Sequence, residues 1–196
     1  ILCLLLCLLL VAAGVGIKVV QYYTAPEQLH EMAMEGFEEN VISGRLDLGH
    51  LETYGLTMAQ ARDIAVMPPE EETPVFSAPL VKVSLHPGQL LKGEFVPESI
   101  VIENPTIHIE YDPESGAYNL ERIRFKPPEP PVVVPDGLLR HGVVIQNATI
   151  KLHEPTLFSD NAVRTYNGVR LVVMPDPAAA DRWLIDGSIG GAPLSG

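Results

Sequence analysis

The chain has 196 residues, and 46% of them are hydrophobic, enough to bury a core and too many for a disordered segment. Lys+Arg 13 against Asp+Glu 25 gives a formal net charge of −12, which argues against nucleic acid as a partner, because phosphate backbones need a basic face. Both cysteines, Cys3 and Cys7, lie at the extreme N-terminus, so nothing after Leu8 can build a disulfide framework or a Cys-based zinc site.

Residues 1–17 carry no charge, Lys18 interrupts them, Val19 and Val20 follow, and Tyr22-Tyr23 forms an interfacial aromatic pair. A spanning helix needs roughly 20 apolar residues, so residues 1–23 are expected to be a transmembrane anchor. A cleaved signal peptide is the rival, with Ala12-Ala13-Gly14 as its small residues. The apolar run continues past them to Val20, unlike a short signal-peptide core. Between residues 19 and 61 Arg45 is the only base, against Glu27, Glu31, Glu35, Glu38, Glu39, Asp47 and Glu52. Cytoplasmic flanks collect Lys and Arg, so this side is expected to be extracytoplasmic. Starting at Ile1 and stopping at Gly196 without a terminating helix, the chain reads as a piece of a longer protein.

A short amphipathic helix is predicted over 24–39. Thr24 can cap it, Pro26 suits its first turn and Glu27 its positive end. Leu29, Met32, Ala33 and Phe37 share one face, and Gly36 and Gly44 are expected to mark the exit. From Ile42 the apolar period becomes two, which is the signature of strands with one apolar and one polar face. Leu46 and Leu48 obey it, as do Val81, Val83 and Leu85, then Ile107, Ile109 and Tyr111, then Val169, Leu171 and Val173. A first β unit over 40–126, a Pro-rich spacer over 127–135 and a second β unit over 136–196 are the expected divisions. The spacer should be extended, at about 3.1 Å per residue.

A repeat is the strongest internal signal. Val101-Ile-Glu-Asn-Pro-Thr-Ile-His-Ile-Glu110 aligns with Val144-Ile-Gln-Asn-Ala-Thr-Ile-Lys-Leu-His153 at an offset of 43. Each copy slips phase once. Ile100 and Ile102 are followed by Ile107 and Ile109, and Val143 and Ile145 by Ile150 and Leu152. Such a slip needs a bulge to keep one face inward, and Asn104 and Asn147 stand there, a residue type that tolerates left-handed backbone. A fixed period of strand units suggests a stacked architecture.

No phosphate-binding loop, nucleophile elbow or His-Glu-x-x-His pair occurs, and the six histidines never fall at ligand spacing, so no catalytic residue, metal or cofactor is expected. Glu110-x-Asp112-x-Glu114 approaches a calcium-loop spacing, but Gly116 falls one place late, and Asp112-Pro-Glu-Ser-Gly116 reads better as a hairpin turn. Asn147-Ala-Thr149 fits a glycosylation sequon, whereas its counterpart Asn104-Pro-Thr106 cannot be one, so backbone conformation explains both asparagines better.

An apolar N-terminus, a short helix and Ser43-Gly-Arg-Leu-Asp-Leu48 resemble the opening of AsmA-family proteins. So do Phe76-Ser-Ala-Pro-Leu-Val-Lys-Val-Ser-Leu85 and Leu90-Leu-Lys-Gly93. The most specific part is Ile100–Leu120, a pattern of strand, Asn-Pro, strand, acidic turn with Gly, then Asn-Leu; His141–Leu152 is similar to the next unit. Ala148 departs from the Gly that unit often has. The resemblance implies a single-pass bacterial inner-membrane anchor with a periplasmic body. That body would be a curved, trough-like antiparallel sheet of repeating strand units, carrying phospholipid between envelope membranes. Envelope assembly proteins are further implied partners.

On this reading the groove that would touch acyl chains is lined by Leu46, Leu48, Val81, Val83, Leu85, Ile100, Ile102, Ile107, Ile109, Tyr111, Val143, Ile145, Ile150, Leu152, Val169, Leu171 and Val173. A structural or assembly factor with an ordinary two-layer core and no lipid is the competing reading. A tethered enzyme is the third, and the missing motifs speak against it.

Overall fold

A computed structural model describes residues 26–54, 57–86, 96–127, 138–157, 163–176 and 179–193. The helix is α1 (Pro26–Asn40), followed by β1 (Val41–Ser43), β2 (Arg45–Tyr54), β3 (Met58–Met67), β4 (Phe76–Leu85), β5 (Pro97–Glu103) and β6 (Thr106–Asp112). Then come β7 (Ala117–Tyr118), a 3-10 turn (Asn119–Arg122), β8 (Arg124–Phe125), β9 (Val143–His153), β10 (Arg164–Asp176), β11 (Ala179–Ile189) and β12 (Ala192–Pro193). The expected anchor, residues 1–23, lies outside the described residues, as does nearly all of the spacer. Among the described residues no helix is long and apolar enough to cross a membrane.

The fold is mainly β, as the period-two runs require. α1 does not end at Gly36 but runs through it to Asn40, whose side-chain amide donates to the Gly36 carbonyl at 2.7 Å. Tertiary packing decides this: Ala33 and Phe37 are buried against the sheet, and such contacts outweigh the weak helix propensity of one glycine.

One large sheet has the order β12-β11-β10-β9-β5-β4-β3-β2, and β6 continues the line of β5 between β4 and β9. Strands from both expected β units lie in it. The sheet is mixed rather than wholly antiparallel, because β9 runs parallel to β5 and β6. The two sequence repeats are these neighbours, and their offset of 43 is their register, with Ile102 beside Ile145 and Ile107 beside Ile150. Parallel neighbours need a long crossover, here the segment from the β6–β7 hairpin through β8 to the turn before Gly142.

The phase slip is not confined to the repeats; it crosses the sheet. Two outward residues follow one another at one level in six places: Gly49-His50 on β2, Arg62-Asp63 on β3, Pro79-Leu80 on β4, Glu103-Asn104 after β5, Gln146-Asn147 on β9 and Asn167-Gly168 on β10. Asp63, Asn104, Asn147 and Gly168 all have positive φ there, at 52°, 51°, 53° and 67°. Gly49 has no room for a side chain, since a Cβ would stand 2.9 Å from that of Asp63. Pro79 lacks an N–H, and it sits at the one level where the β4 ladder is interrupted, the position a sheet can give to proline.

Backbone pairing survives the slip. Asn104 N–H donates to Gln146 O at 2.9 Å and Thr149 N–H to Pro105 O at 2.8 Å. The Asn147 side-chain amide donates to the Asn104 side-chain oxygen at 2.7 Å, so the repeated asparagines bind each other as a ladder rung.

Glycines at positive φ separate two costs. At Gly142 (φ +74°) a Cβ would stand 2.2 Å from the Val173 carbonyl, whereas at Gly190 (φ +55°) nothing lies within 4 Å. Gly142→Ala should therefore destabilise the chain by about 3 kcal/mol or more, and Gly190→Ala by about 1 kcal/mol from left-handed backbone alone. Urea unfolding midpoints measure the difference, and equal effects would contradict the close approach of β9 and β10.

Candidate functional site: the apolar face of the sheet

Registers turn the separate apolar positions into transverse rows. On one side of the slip, Leu46, Val66, Phe76, Ile107, Ile150 and Tyr166 stand side by side across β2, β3, β4, β6, β9 and β10. On the other, Leu51, Ala61, Val81, Ile102, Ile145 and Leu171 form a second row. A third runs Val83, Ile100, Val143, Val173 and Ile185. Leu48 pairs with Ile64, and Val169 with Ala148 and Ile189, on the same face. Two residues outward at each level restore the same face after the slip, so both halves contribute to one hydrophobic cluster.

The expected lining residues therefore share a face, but they do not share an environment. Ile100 is 0% exposed and Ile102 1%, and Val81, Val143, Ile145, Ile107, Leu46, Leu48, Val169 and Val173 are also buried. Ala33 and Phe37 of α1, Val41 of β1, Val75, Ile123 and Leu139 join the same cluster, with Leu120, Phe125 and Leu138 partly buried against it. Val75 pairs with Val66 and His108 in the plane of the sheet, and the other groups pack against the face, so the central positions are covered by the chain itself. Val83, Ile109, Ile150 and Leu171 are only half-buried at its margin. Leu85 is buried apart from the cluster, and Tyr111 and Leu152 are half-buried outside it.

Among the described residues cover becomes incomplete at β10 and β11, where Val169 and Val173 are buried but their outer neighbours are not. On the apolar face there, Tyr166 is 37% exposed, Trp183 42% and Ile185 63%. Met174 and Leu184, a cross-strand pair, are exposed on the opposite face. Sequence periodicity overlooked Tyr166, Trp183 and Ile185. It also overlooked four of the slips. The signal was present: an apolar i, i+3 step replaces the i, i+2 step at Leu48/Leu51, Ala61/Ile64, Ala78/Val81 and Tyr166/Val169, as it does at Ile102/Pro105 and Ile145/Ala148.

The outer face carries paired charges beside an apolar strip of Val101, Val144 and Val172. Lys82 meets Glu103 at 2.6 Å, and Glu110 meets His153 at 3.3 Å. The His108 pKa is lowered, first by burial and then by the neighbouring Lys151 charge. Asp112 caps its own hairpin, accepting from Glu114 N–H at 2.9 Å and the Ser115 hydroxyl at 2.8 Å, and it pairs with Arg122 at 2.9 Å. The Asp112–Gly116 segment is thus the hairpin turn expected from its sequence, with Gly116 at φ +69°. Among the described residues no His, Cys, Asp and Glu group could hold a metal ion.

One buried carboxylate ties the crossover to β9. Glu154 accepts short hydrogen bonds from the Thr156 and Tyr118 hydroxyls. These hold its pKa below the usual 4.5, while the Glu154 carboxylate raises that of Tyr118. A carboxylate with a depressed folded pKa contributes stability above its unfolded value, and that contribution is lost as pH falls through the folded value. Unfolding followed between neutral pH and pH 3 should show wild type losing stability below about pH 4.5. Glu154→Gln should be less stable at neutral pH and lack this acid-dependent component.

No family model matches the chain, and no curated protein or solved structure matches it.

Proposed function

We propose that this chain is the anchored, membrane-proximal part of a periplasmic lipid carrier, and that phospholipid acyl chains lie against the apolar face where protein cover ends. One observation carries the reading: two apolar rows cross the sheet from β2 to β10 and a third from β4 to β11, and at their outer ends Tyr166 and Ile185 remain exposed, with Trp183 beside Ile185 on the same face. Trp183 and Ile185 are neighbours at one end of this margin and Tyr166 stands at the other, and exposed apolar positions of this kind mark a surface that another apolar group can cover. The resemblance of Ile100–Leu120 and His141–Leu152 to the AsmA family points the same way.

The acyl path on this reading is narrower than the alternation alone implies. Ile100, Ile102, Val81 and Val143 serve as core, and contact with lipid falls to Ile150, Leu171, Tyr166, Trp183 and Ile185. The second reading, a structural or assembly factor of the envelope without lipid, is favoured by that same packed centre.

A carboxylate set on the uncovered face would meet hydrocarbon, at a desolvation cost of several kcal/mol. Ile185→Asp should lower co-purified phospholipid, read by mass spectrometry on detergent-extracted protein, by about tenfold or more without unfolding the chain. Lys151→Asp, on the outer face, should leave it unchanged. Ile150→Asp should reduce lipid and also cost stability, because Ile150 touches the core cluster. Lipid absent from wild type, or unchanged in Ile185→Asp, would favour the structural reading.

Topology is tested separately. A reporter active only in the cytoplasm, fused after Glu39, should be silent, and the anchor should remain uncleaved. Reporter activity, or a mature N-terminus near Val15, would overturn the periplasmic assignment.

A further inference from the structure

We propose that Asn167 is a site of spontaneous covalent modification: its side-chain amide is lost by cyclisation onto the Gly168 backbone nitrogen, leaving aspartate and isoaspartate in the slip of β10. Asparagine followed by glycine is the pair in which this ring closes most readily, because glycine has no side chain to crowd the attacking nitrogen. Asn167 is exposed, and Gly168 stands at φ +67°. Among the described residues, a Cβ built on Gly168 would find its nearest atoms in Gly190, at 3.7 Å, so the nitrogen lies in open surroundings. On the β9 side the register of β10 steps directly from Tyr166 to Val169, which sets Asn167 and Gly168 outside the regular ladder.

The neighbouring strand supplies a polarising group. The Thr149 hydroxyl donates to the Asn167 side-chain oxygen at 3.3 Å. In the reaction the Gly168 nitrogen gives its proton to a solvent base and forms a bond to the Asn167 Cγ. Negative charge gathers on the side-chain oxygen, where the Thr149 hydroxyl stabilises it. The intermediate takes up a proton from water, expels ammonia and leaves a cyclic imide. Water then opens the imide at either carbonyl, to aspartate or to isoaspartate, so the net reaction consumes water and releases ammonia. The product sets a new carboxylate on the outer face. Its isoaspartyl form also adds a backbone methylene between Tyr166 and Gly168, at the level where phase decides which way a side chain faces.

The other asparagines among the described residues are held against this reaction. Asn104 precedes Pro105, which has no N–H to lose. Asn147 precedes Ala148, which is 1% exposed and paired with Val169, and the Asn147 amide nitrogen, the leaving group, donates to Asn104 at 2.7 Å. Asn119 is buried with both ends of its amide bound: its oxygen accepts from Glu110 N–H and its nitrogen donates to the His108 carbonyl, each at 3.0 Å. Asn40 donates to the Gly36 carbonyl at 2.7 Å and precedes the β-branched Val41. The modification needs nothing bound to the apolar face, so it stands whether or not lipid is carried.

Incubation of the full chain in detergent micelles, in mildly alkaline buffer at physiological temperature, tests it. Samples taken over time are digested with trypsin, and the peptide Thr165–Arg170 is read by mass spectrometry for the mass gained as amide becomes acid. In the folded chain Asn167 should convert at least about tenfold faster than Asn147, with isoaspartate the larger product. Thr149→Val should slow the conversion by about threefold or more, because the donor to the developing oxyanion is gone, while Thr149→Ser keeps the hydroxyl and should keep the wild-type rate. Unfolded in urea, all three chains should convert alike, which ties the difference to the folded geometry. The proposal is overturned if Asn167 stays intact in the folded chain while the urea-unfolded chain loses its amide. Conversion of Asn147 as fast as Asn167, or a folded Thr149→Val chain no slower than wild type, would overturn it as well.

Discussion

A strand alternates its side chains between two faces, so a single skipped residue turns every later apolar side chain outward. The architecture of this chain depends on meeting that constraint at one level from β2 to β10. If β9 did not slip at Asn147, Ala148 and Ile150 would turn away from the core that Ile145 helps to build. Instead Gly49, Asp63, Pro79, Asn104, Asn147 and Gly168 place the slip at one level across the sheet. The face is therefore continuous, and the left-handed residues are consequences of keeping it so. Each left-handed residue other than glycine costs about 1–2 kcal/mol, which the burial of one aliphatic side chain offsets.

The duplicated segment gives this arrangement its centre. Two copies lie parallel and in register, so that every shared position becomes a cross-strand neighbour, including the bonded pair Asn104 and Asn147. A repeat of strand units would ordinarily be read as antiparallel meander. The crossover through β7, the 3-10 turn and β8 reverses that expectation, and it brings Ile123 and Phe125 over the face that the repeats create. Glu154, bound by Tyr118 and Thr156, fastens the crossover to the strand that follows it.

Cover decides what the apolar face can do. Under α1 and the crossover it is ordinary core, and a lipid there would have to displace Phe37 or Ile123. Among the described residues Val169 and Val173 of β10 are still buried, and cover is missing at Tyr166, Trp183 and Ile185. The proposed lipid contact concerns that margin, where acyl chains would lie on the face.

The alternation of Leu46 and Leu48, of Val81, Val83 and Leu85, and of Ile107 and Ile109 determined strand, face and slip from the sequence alone, because a period of two is a local property of the chain. Asn104 and Asn147 announced their backbone conformation for the same reason, and Asp112–Gly116 announced its turn. Parallel pairing of the repeats could not be read this way, since identical alternation suits either direction and only the crossover's path chooses between them. Nor could the fate of individual apolar residues. Ile100 and Ile185 follow the same rule and lie in one row, yet one is 0% exposed and the other 63%. That difference comes from where Ala33, Phe37 and Ile123 come to rest, contacts between segments far apart in the chain, which only the tertiary structure decides.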